Sequence, residues 1–355
     1  MARKSVKSRV LSVLNRNKGA FYSGQELADS LDVTRATVWK AIEKLRQEGY
    51  KIVGATNKGY SLDDAADIHD PDSIRAGLSP KAAAFYHKIV CLKETVSTNT
   101  LVKELYGESE REGLVLSAET QTGGRGRFGR AFHSPKDSGV YFSVLLKPQG
   151  NALQAGVITA IAAVAGARAC EKINRALKKR SVKIKWVNDL YLNGRKICGI
   201  LTEGSVSLES GKMDYAVLGV GINLTFDEKN APKELQDVGG GLFQSTTPVG
   251  ARAKLIAAFL NEFYTLYASI FTKDGAESQA ALDALLKVYR ERQLLFGKKV
   301  DVVENLYDEK NVRSAIAVGV DDKFRLLVSF DDEPGKVSAL NGGEVRLRPQ
   351  ESLLP

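Results

Sequence analysis

Cysteine is scarce in this chain of 355 residues: Cys91, Cys170 and Cys198 form neither a disulfide framework nor a metal-ligand spacing. That usage fits a reducing cytoplasm. Histidine is equally sparse, and His69, His87 and His133 are too scattered for a metal cluster, so the metal ligands stay unknown at this level. No apolar run is long enough to span a membrane, and no signal-peptide hydrophobic region follows Met1-Ala2-Arg3-Lys4. A cytoplasmic protein with no membrane partner is expected. Internal repeats and low-complexity tracts are missing. No Gly-Lys-Ser/Thr ending closes a glycine-rich loop, which excludes the nucleoside-triphosphate loop that opens a helix. No cysteine or serine nucleophile with a base partner stands out.

What is present is ample apolar content, 43%, enough for two or three domains with cores of their own. The net charge of +9 is unevenly placed. Residues 1–62 hold 12 Lys/Arg and 5 Asp/Glu, a balance of +7, which leaves +2 for the rest. A basic module joined to a near-neutral body points to nucleic acid as the partner of the first part.

The densest chemistry lies in Gly123-Gly124-Arg125-Gly126-Arg127-Phe128-Gly129-Arg130. Glycine lets backbone approach a ligand closely, and arginine offers a permanent charge on a planar donor fork. The stretch reads as a loop that grips a small anion. A disordered RNA-binding tract is the competing reading. It is weakened by Leu114-Val115-Leu116 before the loop and Val140 to Leu146 after it, both of which read as buried strands.

In chain order, Val6 to Asn15 predicts an amphipathic helix. Ser23 with Glu26 forms a capping box for a helix Gly24–Leu31. Asp32-Val33 turns, and Thr34 caps a second helix through Val38, Trp39, Ile42 and Leu45 that Gly49 should stop. Arg35, Thr37, Lys40 and Lys44 fall on its polar side. Tyr50 to Val53 and Tyr60 to Leu62, joined through Asn57-Lys58-Gly59, predict a two-stranded wing. A three-helix interaction module with merely solvated cations is the alternative, and charge segregation disfavours it.

Asp63 to Pro80 is acidic and then turn-rich, with Pro71 and Pro80, and its start reads as a linker. Lys88 to Leu92 predicts the first strand of a second domain. Ser97-Thr98-Asn99 follows it, reading alone as helix capping and, secondarily, as a reader of a ligand's polar end. Ala155 to Leu177 predicts a long buried helix. In Val182 to Trp186 the apolar residues alternate, so Lys183 and Lys185 share one face, and Asn188-Asp189 breaks the strand. Gly219 and Gly221 inside an apolar strand mark close approach by something. Helices are expected from Arg252 to about Ser269 and from Glu277 to Arg292. Four short strands, Lys299 to Val303, Ala315 to Val320, Arg325 to Phe330 and Glu344 to Arg348, read as a small all-β barrel.

Gly124 to Arg130, Lys185-Trp186-Val187-Asn188-Asp189-Leu190, Gly199-Ile200-Leu201 and Gly219-Val220-Gly221-Ile222-Asn223 occur in an order that resembles the biotin protein ligases. Over nearly its full length the chain resembles their bifunctional bacterial type, which also represses biotin genes. The resemblance implies an α+β multidomain protein. Its parts are a winged helix-turn-helix (1–65), an α/β catalytic domain of the biotin/lipoate ligase type (66–295) and an SH3-like β-barrel (296–355). It implies ATP, biotin and Mg²⁺ as cofactors, and a biotin carboxyl carrier protein with an acceptor lysine as partner. Duplex operator DNA and a homodimer when liganded are also implied. Ser97, Thr98, Asn99, Gln121, Gly124, Arg125, Gly126, Arg127 and Lys185 would bind biotin. Arg127, Arg130, Phe132, Asn188 and Asn223 would bind the adenylate, and Lys185 with Arg127 would be catalytic. Thr34, Arg35, Thr37, Lys40 and Lys44 would meet DNA. Two positions depart from the family pattern. Val187 stands where proline is usual, and Phe132 offers a smaller stacking face than tryptophan. A lipoate or octanoyl ligase, or a repressor that only senses its ligand, are the alternatives.

Overall fold

The computed structural model describes residues 5–16, 19–47, 50–63, 69–106, 111–148, 154–207, 209, 212–271, 278–303 and 312–347. The expected helix stop Gly49, the start of the linker at 64–68, Glu277 and Arg348 lie outside these. The chain divides into two compact units, Met1–Gly77 with Pro248–Lys254, and Leu78–Thr247 with Leu255–Pro355.

The first unit holds α1 (Val6–Arg16), α2 (Gly24–Leu31), α3 (Arg35–Gln47), β1 (Ile52–Ala55), β2 (Gly59–Leu62) and α4 (Pro71–Ala76). The capping box at Ser23 forms as read: Glu26 N–H donates to Ser23 Oγ at 3.0 Å and Ser23 N–H to Glu26 Oε2 at 2.7 Å. Thr34 Oγ1 receives the Thr37 N–H at 3.3 Å and starts α3. The inward stripes of the three helices, with Leu62 of the second wing strand, close over a shared core that includes Leu14, Leu27, Val38, Ile42 and Leu45. β1 and β2 pair antiparallel as the wing. Gly59, at φ 91°, turns it where a Cβ would meet Tyr22 O at 2.1 Å.

The two prolines of the turn-rich stretch open helices. Pro71 opens α4 behind the cap Asp70, and Pro80 opens α5 (Pro80–Phe85) behind the cap Ser79. A first helical position needs no N–H and favours proline's fixed φ, so a turn signal and a helix start look alike in sequence.

The second unit continues with β3 (Lys88–Thr95), α6 (Thr98–Tyr106), β4 (Leu114–Gln121), β5 (Gly139–Leu146), α7 (Gln154–Ile173), β6 (Lys183–Lys185), β7 (Asp189–Leu192), β8 (Arg195–Val206) and β9 (Met213–Asn223). After them come α8 (Lys233–Gln236), α9 (Ala251–Ile270), α10 (Gln279–Glu291), β10 (Lys299–Val303), β11 (Val312–Val320), β12 (Leu326–Phe330), β13 (Ser338–Leu340) and β14 (Glu344–Leu347). Seven strands form one sheet in the order β3-β4-β5-β9-β8-β7-β6, with β3 and β4 parallel and the remaining pairs antiparallel. β5 is buried on both faces and reads as an unbroken apolar run apart from Ser143. α7 ends earlier than Leu177 because Asn174 turns the chain, its Oδ1 accepting the Ala176 N–H at 3.2 Å. The C-terminal strands form a five-stranded antiparallel sheet, β13-β12-β11-β10-β14. Its short β13 was not anticipated.

Candidate active site and candidate nucleic-acid interface

Strand register builds the floor of the catalytic candidate. Ser143, Gly219 and Leu201 lie side by side across β5, β9 and β8, and Tyr141, Gly221 and Gly199 form the next row. Alternation sends Gly199, Leu201 and Glu203 to this face, while Thr202 turns away to Thr159 of α7 at 2.8 Å. The close approach expected at the two glycines is made by side chains. A Cβ on Gly219 would stand 2.2 Å from Asn99 Oδ1, and one on Gly221 2.2 Å from the Phe132 ring.

Above the floor lies a polar network. Asn99 Nδ2 donates to Glu203 Oε2 at 2.7 Å, and Lys103 Nζ pairs with the other oxygen at 2.6 Å. Ser143 Oγ lies 2.6 Å from Asn99 Oδ1 and 2.7 Å from Thr98 Oγ1, so its single proton serves one of the two at a time. Thr98 donates twice to Gln121 Oε1, at 2.8 Å from its N–H and 3.1 Å from its hydroxyl. Gln121 Nε2 then donates to Ser134 Oγ at 3.0 Å. Burial would raise the Glu203 carboxyl, yet the hydrogen bonds from Lys103 and Asn99 outweigh it and hold the group below its ordinary range. The capping reading of Ser97 holds, its Oγ accepting the Thr100 N–H at 3.5 Å as α6 begins, and Ser97, Thr98 and Asn99 are all buried in this corner.

The glycine-arginine stretch is a closed hairpin. Gly126 N–H donates to Arg130 O at 2.7 Å and Phe132 N–H to Gly124 O at 2.9 Å, around a single 3₁₀ turn Arg127–Gly129. Gly123 N–H ties the hairpin to Val96 O at 2.8 Å. A cavity of about 340 Å³ opens between Arg125, Gly126 and Arg127 on this side and Leu201 and Glu203 on β8. Arg127 lies 4.7 Å over the Phe128 ring, and Arg130 is bound by both oxygens of Glu344 on β14.

Lys185 lies on β6, the edge strand of the sheet opposite β3. β6 and β7 form a hairpin in which Lys185 pairs with Asp189, so Asp189 begins a strand as well as ending a turn. The Asp189 carboxylate is taken by Lys196 Nζ at 2.7 Å. Lys185 is half-buried, 6.0 Å over the Tyr191 ring; burial lowers its pKa and Asp189 opposes that. Burial lowers Arg127 as well, again against Asp189. Lys185 and Arg127 thus feel the same three charges, Asp189, Glu344 and Arg130. The hairpin is braced from behind: Trp186 Nε1 donates to Phe324 O at 2.9 Å and Tyr289 Oη to Val187 O at 3.0 Å.

Two expected ligand readers are occupied by the protein. Asn188 Nδ2 donates to Ile200 O at 2.6 Å, and Asn223 Nδ2 to Gly240 O at 3.1 Å. Asn223 also lines a second hollow of about 230 Å³ with His133, Lys136 and Phe226. Among the described residues no three His, Cys, Asp or Glu side chains gather as a metal cage.

The sequence of residues 92–223 matches the model of the biotin/lipoate A/B protein ligase family, and residues 6–61 match a helix-turn-helix domain. The bifunctional ligase/repressor BirA of Bacillus subtilis is 32% identical over 76% of this chain and 81% of its own length. Its counterpart from Salmonella typhimurium is 30% identical over 94% of this chain and 95% of that protein. The chain belongs to the bifunctional biotin ligase/repressor family. An Aquifex aeolicus biotin protein ligase solved with biotin and ATP shares the fold, with TM-score 0.54 and 24% identity over 74% of this chain and 98% of that one.

Several residues of the candidate site escaped the sequence reading. Ser143 was signalled, as the polar residue inside a buried apolar strand. Lys103, Ser134, Glu203, Lys196 and Glu344 carried no such signal, because register and chain return alone bring them here. In the helix-turn-helix, Thr34, Arg35, Lys40 and Lys44 are exposed as expected, and Thr37 is half-buried against Thr34. Trp39, read with the apolar face of α3, is instead 54% exposed. The helical period explains the correction: Val38, Ala41, Ile42 and Leu45 fill the inward stripe and leave position 39 outside it.

Proposed function

We propose that this chain condenses biotin with ATP to biotinyl-5′-AMP, releasing pyrophosphate, and passes the biotinyl group to a lysine of a biotin carboxyl carrier protein. Domain boundaries at 1–65, 66–295 and 296–355, the last an SH3-like barrel, belong to the same reading, as does a cytoplasmic setting. The observation that carries it is that Arg127, which lines the cavity, and Lys185 on β6 are both acted on by the same charges, Asp189, Glu344 and Arg130.

Bringing a carboxylate to the α-phosphate puts two anions together, and preorganised cations lower that barrier by a few kcal/mol for each well-placed donor. Lys185 and Arg127 supply them, partly desolvated and so more effective than in water. Ser97, Thr98, Asn99 and Gln121 present the polar corner to biotin, while Gly124, Arg125 and Gly126 let loop backbone close on it. Arg130, Phe132, Asn188 and Asn223 border the adenylate. Mg²⁺ would neutralise the phosphates; with Asp189 and Glu344 each taken by a cation, the residues fit a metal that arrives on the nucleotide rather than one caged by protein. The acceptor amine then attacks the mixed-anhydride carbonyl, the C–N bond forms and AMP leaves.

Residues 1–62 bind duplex operator DNA through Arg35, Thr37, Lys40 and Lys44, with Thr34 at the helix start. One winged helix reads a short half-site, so a homodimer favoured by the adenylate is the form that represses. The test is pyrophosphate release with biotin against lipoate, followed by sedimentation and operator titration with and without biotin and ATP. Release with lipoate alone overturns the substrate, and unchanged association with unchanged DNA affinity overturns the coupling.

A further inference from the structure

Trp39 stands in the middle of the outward face of α3, at 54% exposure. Arg35 lies one turn before it, Lys40 beside it and Lys44 about one turn beyond, all exposed. The single carboxylate on this helix, Glu43, is drawn to Arg46 at 2.7 Å, and Arg46 in turn donates to Ile52 O on the wing at 3.0 Å. What α3 presents is therefore a large apolar ring among cations. The core of the unit does not use that ring, and leaving an indole in water forfeits the free energy of burying it.

We infer that Trp39 reads a base pair: its indole packs against the 5-methyl group of a thymine in the major groove of duplex DNA. The surrounding cations select a polyanion as the occupant. Within the groove the thymine methyl is the apolar mark on the base edges, and an aromatic face covers it where a lysine or arginine would not. The indole N–H, a donor only, is free of conflict with the acceptor-rich edges and phosphates around it. This inference rests on reading residues 1–62 as the DNA-binding part.

The experiment uses the full chain with biotin, ATP and Mg²⁺. Wild type, Trp39→Phe and Trp39→Ala are each used to select sites from a random duplex library, and the recovered thymines are then replaced one at a time by deoxyuridine. Wild type should recover sites with a fixed T·A pair and lose about fourfold in affinity when that methyl is removed, whereas Trp39→Ala should lose the preference and respond by less than about twofold. Trp39→Phe should fall between. Circular dichroism spectra and the unfolding midpoint of residues 1–77 should be equal in all three, which shows that the variants fold, and biotin transfer should be unchanged. An unchanged thymine preference in Trp39→Ala, or equal loss on deoxyuridine in both proteins, overturns the inference while leaving DNA binding in place. If wild type enriches no duplex even at low salt, the DNA reading itself fails, and a different macromolecule covers the indole.

Discussion

Arg130 of the glycine-arginine hairpin holds Glu344 of β14 through two hydrogen bonds, across 214 positions of chain. The pair pins the tip of the hairpin to the C-terminal sheet. Glu344→Gln should release it, seen as faster trypsin cleavage at Arg127 and Arg130 by mass spectrometry, with overall stability lowered by no more than about 1 kcal/mol because Arg130 is largely exposed. Burial alone would raise the Glu344 carboxyl, but Arg130 and Arg346 hold it at about 2. Its contribution is thus complete above the ordinary glutamate range and is lost as pH falls towards 2. Equal cleavage rates in wild type and variant would remove the anchor role.

Lys185→Ala should depress biotinyl-adenylate formation by orders of magnitude with circular dichroism unchanged. Burial lowers the Lys185 ammonium below an ordinary lysine, so the alkaline limb of adenylation should lie below the usual lysine range. Lys185→Arg should move that limb upward. Arg127→Ala should behave differently, letting more adenylate escape into solution per turnover. Near-normal adenylation by Lys185→Ala is the outcome that removes the assignment.

Gly219→Ala and Gly221→Ala each add a methyl where no space exists, against Asn99 and Phe132 respectively. Each should cost about 1–3 kcal/mol in urea unfolding. The first should also raise the KM for biotin by disturbing the Asn99–Glu203 contact, and the second should act on ATP. Phe132→Leu should partly rescue Gly221→Ala, since it removes the obstructing ring. A rescue of Gly219→Ala by the same change would show that the two contacts are not separate.

His69 gives the first unit a pH dependence. Burial first, and Arg252 second, lower its pKa from 6.5 to about 4. The folded unit then binds fewer protons than the unfolded chain between these values. Stability is full above 6.5 and declines as pH falls towards 4, by up to about 3 kcal/mol. His69→Gln should flatten that decline. The two tryptophans make it readable: in a Trp186→Phe background, Trp39 fluorescence reports the first unit alone. A decline of the same size in His69→Gln would place the acid sensitivity elsewhere.

The local layer of this protein is determined by its sequence. Ser23 and Glu26 set a helix start, Asn57 to Gly59 set the wing, and the alternation Val182, Ile184, Trp186 sets which way the two lysines turn. These are interactions within a few residues, where propensity and hydrogen-bonding geometry decide before any packing. The charge imbalance and the order of the motifs are likewise visible along the chain, which is why the family could be named from them. Tertiary structure alone decided who fills the space over Gly219 and Gly221, which cation takes Asp189, and that Glu344 reaches Arg130. Sheet register and chain return bring those groups together from strands far apart in sequence, and no local periodicity encodes that pairing. Trp39 shows the boundary between the two. Its apolar character is plain in the sequence, but the 3.6-residue period of α3, combined with a core already filled by its neighbours, is what turns it outward.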